Sequence, residues 1–284
     1  MRWSLVCIDD SEPEPILWKA DTIYRLAELK AESEAKDLLS RYHELAEILE
    51  NRIAENAITP IKSAKRIRFL PPFLGKKIIC AGLNYLDHAR EAGIVPPPFP
   101  NFFIRYPDSL VGHGEALQIP PGFDSFDYEG ELAVVMGQSL YGSVDREEAL
   151  AAVAGYTLFN DGSLRELQFR ASQWTLGKNC PASGSCGPWV CTPDELPLGA
   201  HGLGIQTRVN GELLQHGNTG QMIFAVADLL TTLAAALPLG PGDLIATGTP
   251  AGVGFARTPP RFLRPGDRCE IEIEGLGKLS NPVT

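Results

Sequence analysis

No apolar run in the 284 residues approaches the ~20 that span a bilayer. The best candidate, Ile223 to Leu239, is broken by Asp228 and rich in Thr and Ala, so no membrane helix is expected. The N-terminus is apolar only as far as Ile8 before Asp9, Asp10, Glu12 and Glu14 arrive. That is too short for a signal-peptide core, and a cytoplasmic protein is the expectation. Basic side chains are in the minority: 25 Lys and Arg face 35 Asp and Glu, and the net charge of −10 would repel a phosphate backbone or an anionic membrane. With no basic stripe interleaved with aromatics, nucleic acid and membrane are set aside as partners. The six cysteines form no CxxC pair, and no histidine stands at zinc-finger spacing. They read as reduced packing residues; a soft metal or redox pair at Cys180, Cys186 and Cys191 is the alternative. There is no long tandem repeat, and no GxGxxG or GxxxxGK[ST] between strand and helix supports a nucleotide-binding fold.

Glycine and proline, by contrast, are abundant. The 28 Gly and 23 Pro make up about 18% of the chain against a usual ~12%, which implies many tight turns. The pattern divides the chain into residues 1–70, a small N-terminal α/β domain, and residues 71–284, a β-dominated main domain. The first piece carries strand-like segments at Arg2 to Ile8 and Asp21 to Leu26. An amphipathic helix then runs from about Ala35 to Asn56, with Leu38, Tyr42, Leu45, Leu49 and Ile53 at intervals of three and four. Its stripe is too short for a coiled coil and suits a layer docked on the main domain. Pro60, Pro71 and Pro72 mark the boundary. Beyond them come short β-like runs at Lys77 to Cys80, Phe102 to Ile104, Glu131 to Met136, Ile205 to Asn210, Asp243 to Thr247 and Arg268 to Glu274. Asn210-Gly211 between strand-like halves is a hairpin signal, and helical pieces fall at Arg146 to Val153 and Phe224 to Leu237.

Chemistry concentrates in a few places. In Asp127-Tyr128-Glu129-Gly130-Glu131 two carboxylates two residues apart point the same way at the start of an apolar strand. Like charges on one face near a core are costly unless a cation neutralises them, although a solvated strand face gives the same spacing. Asp161 ends another apolar segment, and three such carboxylates would suit Mg²⁺ or Mn²⁺. His88 and Glu91, three apart, share one face of a helical turn, as an acid/base dyad or as a plain surface pair. His43 and His201 lack such a setting. The Gly/Thr-rich stretch Thr247 to Gly254 lets backbone N–H groups and hydroxyls face an anion.

Taken in order, GxNYxxHxxE, DYEGELAVV, ND-x-S-x-R-x-x-Q, QWTxGK, TGTPAGVG and a closing GDxxEIEIEGLGxLxNPV resemble the fumarylacetoacetate hydrolase family from about Lys76 to Val283. The resemblance implies an α+β, β-dominated fold, a mixed β-sandwich roll, assembled as a homodimer. It implies Mg²⁺, with Mn²⁺ or Ca²⁺ as substitutes, on Glu129, Glu131 and Asp161. It makes His88 and Glu91 the water-activating dyad and Lys178 the active-site lysine, with Arg165, Gln168 and Thr249 contacting substrate. Arg105 stands in the same substrate shell where many members carry lysine. The segments Asn179 to Gly184 and Asn218 to Phe224 also depart from the family pattern, which touches substrate choice more than metal. The activity implied first is metal-dependent hydrolysis of a C–C bond in a β-diketo or acylpyruvate-type acid of a catabolic pathway. Decarboxylation, hydration or isomerisation of a 2-oxo acid at the same site is the alternative.

Overall fold

The computed structural model describes residues 1–9, 11–29, 37–61, 66–91, 93 and 95–284. Strands β1 (Arg2–Ile8), β2 (Glu14–Lys19) and β3 (Thr22–Arg25) form a meander, followed by helices α1 (Asp37–Ser40) and α2 (Tyr42–Ala54) and strand β4 (Ile67–Leu70). Next come β5 (Ile78–Gly82), α3 (Leu86–Glu91), β6 (Asn101–Arg105), β7 (Leu110–Val111), β8 (Phe126–Asp127) and β9 (Gly130–Met136). The chain continues through α4 (Arg146–Ala151), β10 (Val153–Asn160), β11 (Ser163–Leu164), α5 (Arg165–Gln168), α6 (Thr175–Lys178) and β12 (Gly184–Cys191). It closes with the hairpin β13 (Gly204–Val209) and β14 (Glu212–Asn218), then α7 (Val226–Ala236), β15 (Leu244–Ala246), β16 (Arg268–Ile273) and β17 (Gly277–Pro282).

An 11-stranded sheet runs β3-β2-β1-β12-β10-β9-β15-β5-β6, with β4 beside β1 and β7 beside β12; β14-β13-β16-β17 form a second sheet. The central strands β9 and β10 are buried at every residue, as mostly apolar runs between two covered faces are. Alternation along β9 splits the core in two. Leu132, Val134 and Met136 pack with Ile205, Ile271, Leu230 and Leu233 under the second sheet and α7. Ala133 and Val135 face the other way, onto Trp3, Leu17, Leu45 and Leu49. The strands β13 and β16 alternate between buried and more open positions, as one-sided strands do. Asn210 and Gly211 turn the hairpin with φ of 53° and 84°, the positive pair that a type I′ turn requires.

The N-terminal residues are built into this sheet, because β1 pairs antiparallel with β12 at Arg2↔Cys191 and Trp3↔Val190. The helix expected from Ala35 to Asn56 is two helices broken at Arg41, whose φ/ψ of −126°/22° is not helical; Ala35 lies outside the described residues. Leu38, Leu45 and Leu49 are its buried stripe. Several strands escaped the sequence reading, β2 and β12 among them. Strand β2 carries Pro15 and a charge at each end, and β12 contains Gly184, Gly187 and Pro188, residues that local propensity assigns to turns. All six cysteines are free, and all but Cys180 are buried. Among the described residues they form no metal-binding group, and no helix is long and apolar enough to cross a membrane.

Candidate active site

The acidic residues meet where β9 begins and β10 ends. Antiparallel register sets Asn160 opposite Gly130 and Phe159 opposite Glu131, and Asp161 N–H donates to Glu129 O at 2.9 Å. One carboxylate oxygen from each of Glu129, Glu131 and Asp161 lies within 4.8 Å of the others, all three side chains buried. The parallel neighbours β15 and β5 end at the same edge. Strand β15 delivers the Thr247–Gly254 loop, whose Gly248 N–H donates to Glu131 Oε2 at 2.9 Å. Gly248 has φ +97°, and a Cβ there would lie 2.8 Å from Asn84 Cβ, so this close approach to the β5 loop needs glycine. From β5 the chain enters α3 and places His88 Nδ1 3.4 Å from Glu91 Oε2. Both Glu91 oxygens accept from Gly252 N–H at 3.0 Å, which ties the helix to the loop.

Three cations enter the cluster. Lys178 Nζ bridges Glu129 Oε2 at 2.7 Å and Asp161 Oδ2 at 2.5 Å. Arg165 Nη2 is in ion contact with Glu129 Oε1 at 2.6 Å, without the alignment of a hydrogen bond, while its Nε donates to Asp127 Oδ2 at 2.9 Å. Arg105 Nη1 donates to Asp161 Oδ1 at 2.6 Å. Burial alone would raise the Glu129 pKa, but Lys178 and Arg165 outweigh it and hold the carboxyl down at about 2. Burial likewise works against the Lys178 ammonium, and Asp161 and Glu129 overcome it and raise its pKa. Glu131 is different. Burial, then repulsion from Asp161 and Glu129, pushes it well above the usual carboxylate range. Among the described residues no cationic side chain reaches ion-pair distance of it. Four buried carboxylates, Asp127 included, face three cations, and buried hard oxygen donors one positive charge short are what a divalent cation fits.

The cavity over this cluster has a volume of about 80 Å³ and is lined by His88, Glu129, Glu131, Asp161, Arg165, Gln168, Lys178 and Thr249. Eight of the sequence-derived candidates are thus brought together, and Glu91 stands behind His88. Arg105 is the correction. Its guanidinium is fully buried outside the cavity and is used on Asp161, Gly162 O, Ser109 and Ser183, so it backs a carboxylate and does not line the cavity. The Thr249 hydroxyl is also engaged, donating to Gly130 O and accepting from Gln215 Nε2. Arg165 Nη1 donates to Gln168 Oε1 at 2.7 Å, which orients that amide and leaves its nitrogen free to donate.

Sequence reasoning did not single out Asp127. It is buried and binds Arg165, Tyr128 N–H, Gly254 N–H and Phe255 N–H, fastening the glycine-rich loop to the arginine. Nor did it find the aromatic walls, Phe103 against Trp174 and Phe169 against Phe255. Trp174 lies within the QWTxGK motif, which was the available signal. Gly177 permits the α5–α6 contact: an added Cβ would sit 2.6 Å from Gln168 N and 2.7 Å from its Cα, backbone that cannot swing aside. Gly177→Ala is therefore expected to shift Lys178 and Gln168 and lower turnover by about 10²-fold. Unchanged steady-state kinetics in that variant would show the contact to be unimportant.

Fold and site together define a class: a β-dominated α+β enzyme, a mixed β-sandwich roll with a buried acidic centre at the end of its main sheet. The chain belongs to the fumarylacetoacetate hydrolase family, with residues 77–284 matching the profile described as Fumarylacetoacetate (FAA) hydrolase C-terminal. It is 40% identical over 235 residues, 82% of this chain and 74% of the relative, to the oxaloacetate tautomerase FAHD2A, mitochondrial, of Homo sapiens. Over 216 residues, 75% of this chain and 71% of the relative, it is 43% identical to the oxaloacetate tautomerase YisK of Bacillus subtilis. Among solved structures, fumarylacetoacetate hydrolase from psychrophilic Exiguobacterium antarcticum superposes with a TM-score of 0.85 at 31% identity, covering 100% of this chain and 99% of that one.

Proposed function

We propose that this chain interconverts the keto and enol forms of a small 2-oxo diacid of the oxaloacetate type, with Mg²⁺ as its metal. The observation that carries the reading is the size of the site. A cavity of about 80 Å³ falls well below the ~300 Å³ at which pockets for larger ligands begin. It suits a compact acid such as oxaloacetate better than a longer-tailed acylpyruvate together with a hydrolytic water. The names of the two tautomerase relatives support the same choice.

Each residue then has a task. With Nδ1 turned toward Glu91, His88 keeps Nε2 for a substrate proton, taking it from C3 of the keto acid and delivering it to the C2 oxygen. No water is consumed. Lys178 and the Gln168 amide offer donors to the substrate's anionic oxygens, and Asp127 holds Arg165 so that Gln168 stays oriented. Glu129, Glu131 and Asp161 would hold the divalent ion, which would supply positive charge where enolate charge develops. Homodimer assembly and a cytoplasmic setting belong to the same proposal, the first testable by mass in solution.

The test is proton exchange at C3 of oxaloacetate in D₂O, followed by NMR alongside decay of the ultraviolet enol band. Catalysed exchange that chelator abolishes and Mg²⁺ restores is the expected result. The second reading, hydrolysis of an acylpyruvate-type acid, is favoured by the His88–Glu91 pair, which could equally activate water. Two acid products from acetylpyruvate, with no catalysed exchange of oxaloacetate, would replace the first reading by the second.

A further inference from the structure

Both oxygens of Glu129 and both of Asp161 already face a cation. Glu129 Oε1 meets Arg165 and Oε2 meets Lys178; Asp161 Oδ1 meets Arg105 and Oδ2 meets Lys178. The two arginines have other obligations, Arg165 to Asp127 and Gln168 and Arg105 to Ser109, Gly162 O and Ser183. Lys178 is the bridging one. Its ammonium touches both carboxylates and Asp161 O at 3.4 Å, with the Phe103 ring 5.1 Å away, on an unbranched stem that can withdraw.

We infer that the Lys178 ammonium is the built-in occupant of the cation position, and that a divalent ion must displace it from Glu129 Oε2 and Asp161 Oδ2 in order to bind. This rests on the metal reading above and adds to it a competition inside the chain. One positive charge leaves Glu131 repelled by its neighbours; two charges at closer range to all three carboxylates relieve that repulsion, so the exchange runs toward the metal. It also hands the cavity a freed ammonium with three donors for an anionic substrate oxygen. The metal-free site, meanwhile, is kept from flying apart.

The test is calorimetric titration of MnCl₂ into the chelator-stripped full chain and into Lys178→Met. The variant is expected to bind Mn²⁺ about 10- to 100-fold more tightly, because a competing charge is gone. Its metal-free melting temperature is expected to fall, with a larger recovery on adding Mn²⁺ than the unmodified chain gives. A lysine that merely orders the ligands would give the opposite sign, weaker binding on its removal. Binding by the variant alone supports the inference; equal or weaker binding by the variant overturns it and leaves the metal reading standing. No binding by either protein overturns both. If Lys178→Met does not fold, Lys178→Gln carries the same comparison.

Discussion

Replacing His88 by asparagine is expected to slow C3 proton exchange of oxaloacetate by about 10²- to 10⁴-fold, the usual contribution of a positioned general base. The substitution keeps a polar side chain of similar reach but removes a group that can take and return a proton. Metal affinity is expected to be nearly unchanged, since the three carboxylates hold their places through β9, β10 and the Gly248 contact, none of which involves His88. The separation of the two effects is the point of the experiment. Calorimetry with Mn²⁺ and exchange kinetics on one preparation would record intact binding beside lost turnover. A loss below tenfold would make His88 a bystander, and lost metal binding would make it part of the ligand framework.

Asp161→Asn should be costly in two ways. The carboxylate is the charge partner of Arg105 at 2.6 Å and one of two partners of Lys178, all of them buried, and breaking a buried ion pair costs about 3–5 kcal/mol. Part of this is returned, because Asp161 is the largest charge pushing Glu131 upward and its removal eases that repulsion. A net loss of about 2–4 kcal/mol is expected in the metal-free protein, which for a chain of this size lowers the melting temperature by roughly 5–15 °C. Metal affinity should fall by at least about 10²-fold, as an ion loses one of three charged ligands. Activity should go with it. Undiminished Mn²⁺ affinity would remove Asp161 from the ligand set, and an unchanged melting temperature would mean that Arg105 finds another counter-charge.

How much of this could be read without coordinates depends on whether the relevant geometry is local. Glu129 and Glu131, two residues apart at the entry to β9, one helical turn aligning His88 with Glu91, and Asn210-Gly211 turning its own hairpin were legible because each is local. The ordered motifs were legible as a family resemblance for the same reason, each being a contiguous stretch. Asp161 could be named as a third acid, but its place beside Glu129 is set by the register of β10 against β9, thirty residues apart in the chain.

Direction and distance belonged to the tertiary structure alone. Arg105 was expected in the substrate shell because it stands where many members of the family carry lysine; packing turned it behind Asp161, where a fixed fork of donors could meet four groups at once. Asp127 stands two residues before Glu129, yet it is withdrawn from the carboxylate cluster because Arg165 and two loop N–H groups claim it. Strand β12, with its glycines and proline, becomes a strand only because β1 and β10 supply its hydrogen-bond partners. The sequence by itself determined which charges this protein carries and which short elements present them. Which charge neutralises which was decided by the fold, because burial makes ion pairing depend on a few ångströms that no spacing along the chain encodes.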